Sequence, residues 1–358
     1  MRTPLVVVTG VDPRAMDSTM MSLSWDLPQA VAVRHWIDPD SQILTRIVSD
    51  AGGVVEREKI SLEHACVSCA LREDILPTLE RLARDTRWRT IVACLPVGTE
   101  ADQLGNVLAT NTRLARRLRL SSVVTALGSN RLVEDLLSDD LLRERGLHTN
   151  PDDDRGVGEV ACAQIEYADV LVIDEDPGAE AKDLVRVLAQ PQALLITGAD
   201  QVGGDALASQ RHQHKQTTAW CTSLMQGELP ILGSSHAWRL DLSSPRAFHP
   251  ERLLDQIERL GAGRHRSRGC FWVPTRPDLA LAWGGSGGQL SIGTHGAWGH
   301  RTPQTRLILT GLGTKPTGLV EAFEDLLVTS DEARSRQRSW DVLEDGLEPW
   351  LGDICDVA

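Results

Sequence analysis

The residues best suited to chemistry lie in "EHACVSCALRED", positions 63–74. Cys66 and Cys69 have the C-x2-C spacing that lets a single turn present both sulfurs to one ion. Zinc takes four ligands and favours thiolate and imidazole, and His64 and Glu63 stand close enough in the chain to complete part of such a set. The pattern "PTLERLARD" that follows reads as a helix. A helix N-terminus stabilises thiolate, which favours metal binding and thiol–disulfide exchange alike. Three readings therefore stay open: a site for zinc or a similar metal, a reversible disulfide, or two small packed side chains. The pair is expected on a loop, so replacing either cysteine should leave the fold intact.

Other reactive types are sparser. "RHQHK" (211–215) offers His212 and His214 in what reads as a polar linker, and His295 and His300 read as surface-turn residues. Cys94, Cys162 and Cys270 fall within strand or helix patterns and read as small core residues. No spacing assigns a Ser-His-Asp or paired-carboxylate site, so the residues point to no hydrolase chemistry.

The elements that must position Cys66 and Cys69 are legible from periodicity. "PLVVVTG" (4–10) is a continuous β-branched run ending in Gly, the signature of a buried parallel strand. "QAVAVRHWI", "RTIVACLPVG", "SSVVTAL", "ADVLVID" and "QALLITG" read as further buried strands, and "GGVVEREKISL" alternates as a half-exposed one. Helical patterns between most of them predict an α/β fold with a doubly wound, mainly parallel sheet over 1–240. From 241 to 358, short strands, Gly-rich turns and helices such as "FHPERLLDQIERLG" predict a smaller α+β domain.

The chain has 358 residues, 41 % of them hydrophobic, and a net charge of −13. Such an acidic balance argues against a surface that tracks nucleic-acid phosphates and favours docking on a basic protein. Seven cysteines with one close pair fit a reducing cytoplasm better than a disulfide framework. No apolar run approaches a membrane span.

In order, these pieces resemble the CobW-like family of P-loop GTPases and metal chaperones. "VVVTG" resembles its first strand, "CVSCALREDILPTL" its cysteine motif, "VGEVACAQIEYADVLVI" the helix and strand before the guanine-reading motif, and "RSRGCFWVPTRPDLALAW" the start of its C-terminal domain. The resemblance implies a P-loop-like fold, zinc as a cofactor and GTP with Mg²⁺ at the nucleotide loop. Three departures bear on that site. After Gly10 the chain reads "VDPRAMDSTMMSL", without the second Gly or the Lys that a phosphate loop needs, leaving Gly10, Ser18 and Thr19 as its remnant. Leu127 falls near the magnesium-side acid, and "DEDP" (174–177) replaces the guanine-reading Asn-Lys-x-Asp. Ser68 stands at the family's middle cysteine.

These departures imply a member without GTPase activity, similar to an actinobacterial branch that recruits a ribosome-hibernation protein under zinc starvation. The expected partner is then a protein client, a hibernation factor or a small-subunit ribosomal protein. A GTP-dependent zinc metallochaperone and a thiol redox sensor are the alternatives.

Overall fold

The structure is a computed structural model that describes residues 2–64, 66–335 and 340–354; Cys355 lies outside them. The chain forms two compact units. One runs up to Asp135 and resumes over Asp140–Cys221; the other comprises Leu136–Asp139 and the chain from Thr222 onward.

The first unit contains β1 (Thr3–Thr9), α1 (Pro13–Asp26), β2 (Ala30–Asp38), β3 (Ile43–Asp50), β4 (Gly53–Ser61), α2 (Val67–Ala70), α3 (Leu76–Leu82) and β5 (Thr90–Cys94). It continues with α4 (Ala101–Thr110), α5 (Thr112–Ala115), β6 (Leu118–Leu127), α6 (Leu132–Leu137, its last two residues counted with the second unit), α7 (Val157–Tyr167) and β7 (Val170–Ile173). After these come α8 (Ala179–Leu188), β8 (Leu194–Thr197), α9 (Gly204–Ser209) and α10 (His214–Cys221). Among the described residues the sheet has eight strands in the order β4-β3-β2-β5-β1-β6-β7-β8. β2, β5, β1, β6, β7 and β8 run parallel, while β3 and β4 extend the sheet in antiparallel fashion.

The apolar runs bury both faces of the central strands, as a sheet covered on both sides requires. Leu5, Val7, Val31, Val33, Ile91 and Ala93 enter one core with Leu79 and Leu104. Val6, Val8, Ala30, Val92 and Val124 enter the other, against Ala15, Met16 and Leu23 of α1. The mainly parallel α/β architecture is thus the one the strand–helix alternation predicts. Three details differ. "ILTRIVSD" forms β3, which its mixed polarity hid. β8, expected to be buried, is a partly exposed edge strand. The units part at 221/222 rather than near 240. Residues 222–236 have no helix or strand, but Arg306 of the second unit donates to the carbonyls of Gln226 and Gly227 at 2.5 and 3.0 Å.

The second unit holds β9 (Ala237–Ser244), α11 (Pro250–Gln256), α12 (Glu258–Gly261), β10 (His265–Phe271), β11 (Leu279–Ser286), β12 (Gln289–Ala297) and β13 (Thr305–Leu312). Then come α13 (Leu319–Leu326), α14 (Ser330–Ser335) and α15 (Glu348–Leu351). Its antiparallel sheet, β12-β11-β10-β13-β9, packs on a core with Phe248, Phe271, Trp283 and Phe323. Among the described residues no helix is long and apolar enough to cross a membrane.

Candidate functional site

The cysteine turn sits between β4 and a helical run. α2 passes into a π-helical turn at Leu71–Ile75 and then into α3, all with helical backbone. Single π turns inside helices recur at functional positions because they re-aim the side chains around them. Cys66 caps this run: its sulfur accepts the backbone N–H of Cys69 at 3.3 Å. Cys66 is half-buried, Cys69 is buried, and both are free thiols. The two side chains also hydrogen-bond to each other. That bond, with burial, pushes the Cys69 thiol above its usual pKa, while the Arg72 guanidinium, 3.8 Å from its sulfur, pulls the other way. Cys69 is therefore part of a helix rather than a loop, contrary to the sequence expectation.

Glu63 and His64 are exposed on the approach to the helix. Glu63 faces Arg72 at 3.9 Å, and the carbonyl of His64 accepts the N–H of Cys66 at 2.8 Å. Among the described residues no three His, Cys, Asp or Glu side chains converge as a metal site would require. The structure therefore brings two of the four expected ligands together and leaves Glu63 and His64 outside the pair. The donor chemistry fits zinc at those two sulfurs. Cys94 and Cys270 are also buried, more deeply than Cys69, and burial pushes their thiols up to about 12 and about 11.

Beneath the π turn lies a buried polar network that sequence reasoning missed. Asp74, in that turn, accepts from His35 on β2 at 3.0 Å and from Arg46 on β3. Arg46 also reaches Thr78 Oγ1 at 3.1 Å, Glu56 at 3.2 Å and Glu58 at 3.0 Å. Burial would raise the pKa of Asp74, but His35 and Arg46 outweigh it and hold the carboxyl below its usual range. Burial keeps His35 neutral by lowering its pKa. The signal was present in the sequence: His35 and Arg46 occupy positions of inward phase in β2 and β3, and they pair directly across the strands.

The remnant nucleotide loop is built differently from a phosphate cradle. Only residues 10–12 separate β1 from α1, and α1 starts at Pro13 with helical backbone where a phosphate loop would keep its N–H groups free. Asp12 caps the helix, its Oδ1 accepting from the N–H groups of Arg14 at 2.8 Å and Ala15 at 3.0 Å. The other carboxylate oxygen lies so close to Gly128 that a Cβ there would meet it at 2.2 Å. Gly10 is also needed for fit, since a Cβ would lie 2.5 Å from the carbonyl of Ala126. Ser18 is exposed in the second turn of α1 and Thr19 is buried, 1 % exposed. Gly10 thus precedes the helix, while Ser18 and Thr19 lie within it.

At the guanine-reading position, Asp174 accepts from the N–H groups of Ser129 at 2.8 Å and Glu175 at 2.7 Å, and Asp176 pairs with Lys182 at 2.9 Å. Both carboxylates are engaged in shaping their own turns. The "RHQHK" segment is no mere linker. His212 is buried, with Nδ1 2.8 Å from Asp169 and Nε2 3.2 Å from the Tyr167 hydroxyl, which also meets His214 at 2.8 Å. Burial raises the pKa of Tyr167, so its hydroxyl remains protonated.

These features define a P-loop-like scaffold with a carboxylate-capped helix after its first strand and a thiol pair at a second helix start. Residues 37–202 match the CobW/HypB/UreG nucleotide-binding domain, and residues 238–327 match the cobalamin synthesis protein cobW C-terminal domain. The two matches follow one another along the chain without overlap.

Among curated proteins it is 27 % identical to the zinc chaperone Rv0106 of Mycobacterium tuberculosis, over 99 % of this chain and 95 % of that protein. It is 21 % identical to the zinc-regulated GTPase metalloprotein activator 1 of Dictyostelium discoideum, over 67 % of this chain and 54 % of that protein. The solved structure of Zn(II)-bound YjiA GTPase from E. coli aligns at 15 % identity with a TM-score of 0.35, covering 91 % of this chain and 99 % of that one.

Proposed function

We propose that this chain is a zinc-responsive protein that has given up GTP hydrolysis and works by binding a protein client. The observation that carries this reading is the occupied N-terminus of α1, where Asp12 takes the N–H groups that would receive phosphate. The free sulfurs of Cys66 and Cys69 support a zinc role, and the zinc descriptions of the relatives agree with it. Cys66 and Cys69 would hold the ion, and Glu63 and His64 are the nearest exposed donors in the chain. Bound zinc would tie the turn at 63–69 to the helix start, changing its charge and shape and thereby biasing what docks there. The client class we propose is a ribosome-hibernation factor or a basic small-subunit ribosomal protein. Its support is the family resemblance together with the net charge of −13.

The test is ribosome co-sedimentation from cell extract with zinc supplied or chelated, for wild type and Cys66→Ser. Pelleting that depends on zinc and is lost in the variant is the expected result. Absence of pelleting in both conditions would rule out the ribosome-linked client.

The match of 37–202 to a nucleotide-binding domain favours a second reading, a GTP-dependent zinc metallochaperone. Saturable binding of GTP with Mg²⁺ would establish it at the expense of the first. A redox role would instead show as a Cys66–Cys69 disulfide in mild oxidant, with behaviour indifferent to zinc.

A further inference from the structure

The antiparallel extension carries a second site candidate on the face opposite His35 and Arg46. β2 reads Ala30-x-Ala32-x-Arg34-x-Trp36 on the side that α1 covers. The two alanines admit the helix, and Ala30 lies in the core with it. Where α1 begins, the small residues give way to Arg34 and Trp36. Strand register then sets Arg34 beside Ile47 and Ile47 beside Arg57, a row across β2, β3 and β4. Adjacent strands lie about 4.8 Å apart, so the two arginines start about 10 Å from each other, within side-chain reach of one anionic group.

This row forms the floor of a cleft of about 490 Å³. Pro13, Pro96, Val97, Leu147 and His148 supply its walls, and Trp36 lines it. Asp17 holds Arg34 at 2.7 Å, and the Arg34 guanidinium lies 5.8 Å from the Trp36 ring centre. Arg57 is exposed and makes no ion pair among the described residues, so its guanidinium is available. His148 adds a buried Nδ1 without a hydrogen-bond partner in the structure. Asp17 offsets Arg34, so Arg57 gives the cleft its net positive charge, a local inversion of sign in a chain with a net charge of −13. Guanidinium groups bind carboxylate or phosphate in a bidentate fork, and an indole face takes a flat ring.

We propose that this cleft binds a small molecule in which a flat ring carries a phosphate or a carboxylate, with Arg57 and Arg34 on the anion and Trp36 on the ring. The cleft adjoins the start of α1 through Pro13 and Asp17, but no residue of the cysteine turn or of 174–177 lines it, so it stands or falls apart from the zinc reading.

The test is calorimetric titration of the full chain with four probes: adenosine 5′-monophosphate, indole-3-acetate, adenosine and inorganic phosphate. At least one of the first two should bind in the sub-millimolar range, and adenosine and phosphate at least about tenfold more weakly. Which of the two ring–anion probes binds identifies the anion as phosphate or carboxylate. Arg57→Ala and Trp36→Ala should each weaken that binding by about tenfold or more. Arg57 lies on an exposed edge strand, so its variant remains informative if Trp36→Ala misfolds. The proposal is overturned if neither ring–anion probe binds, if phosphate alone binds equally well, or if binding is indifferent to Arg57→Ala.

Discussion

Two helix starts in the first unit meet the same physical demand in different ways. Each has backbone N–H groups without intrahelical partners and a dipole that attracts negative charge. At α1 the demand is met by Asp12, a hard carboxylate bonded at 2.8 and 3.0 Å and backed by Gly128. At α2 it is met by the sulfur of Cys66 at 3.3 Å, a weaker acceptor that can be exchanged for a bond to metal or to a second sulfur. One start is closed by its own chain and the other is left open to chemistry. The comparison shows how one scaffold can seal one helix start with a carboxylate and cap another with an exchangeable sulfur.

The sharpest way to break this contrast is at the sulfurs. Cys66→Ser combined with Cys69→Ser should reduce zinc affinity by about a thousandfold or more, equivalent to about 4 kcal/mol, read by competition with a chromophoric chelator. Unchanged affinity would move the metal elsewhere. Taken singly, Cys66→Ser keeps a good cap and should fold normally, whereas Cys69→Ser buries a hydroxyl and should cost stability.

Next in size is Asp74→Ala, which leaves Arg46 and His35 without their buried partner. Urea unfolding should show a loss of about 3–5 kcal/mol. A loss near zero would mean that the network does not anchor the π turn beneath the cysteines.

Smaller again is a pH effect. Burial lowers the folded pKa of His35, so the folded state keeps it neutral while the unfolded chain takes up a proton below about pH 6.5. Stability should therefore fall as pH drops through that value, by up to about 1.4 kcal/mol per unit, and His35→Gln should flatten the slope relative to wild type. An identical slope in the variant would assign the effect to other buried histidines.

The smallest expected effect is that of Asp12→Ala, about 1 kcal/mol from a lost cap, with no gain of GTP binding. If the variant bound GTP with Mg²⁺, the carboxylate alone would be the block and the helical backbone at 13–16 would not matter.

The parallel core was legible because its β-branched runs are continuous and end in Gly or Pro, as "PLVVVTG" does. β3 was not, because Thr45, Arg46 and Ser49 break its apolar pattern; Arg46 is buried against Asp74, 28 residues away, with Thr78, Glu56 and Glu58 as further partners. Residues 222–236 lay outside the expected second domain, but they belong to the second compact unit and are held by Arg306, about 80 residues on. At the cysteine turn, spacing revealed the pair but not the π turn, which depends on how α2 joins α3. Glu63 and His64 were named by nearness in sequence, and nearness does not orient side chains. His212 read as linker because its partners, Asp169 and Tyr167, lie more than forty residues upstream.

The early start of α1 also has a consequence for redesign. A phosphate loop could not be built at Gly10 by one substitution. Pro13, Arg14 and Ala15 are helical, and Asp12 fastens the first turn. Each step back toward a glycine-rich loop would weaken the helix before any nucleotide could offset the loss, since glycine in a helix costs roughly 1 kcal/mol relative to alanine. Change at the cysteine turn, where a single atom makes the cap, faces no such barrier.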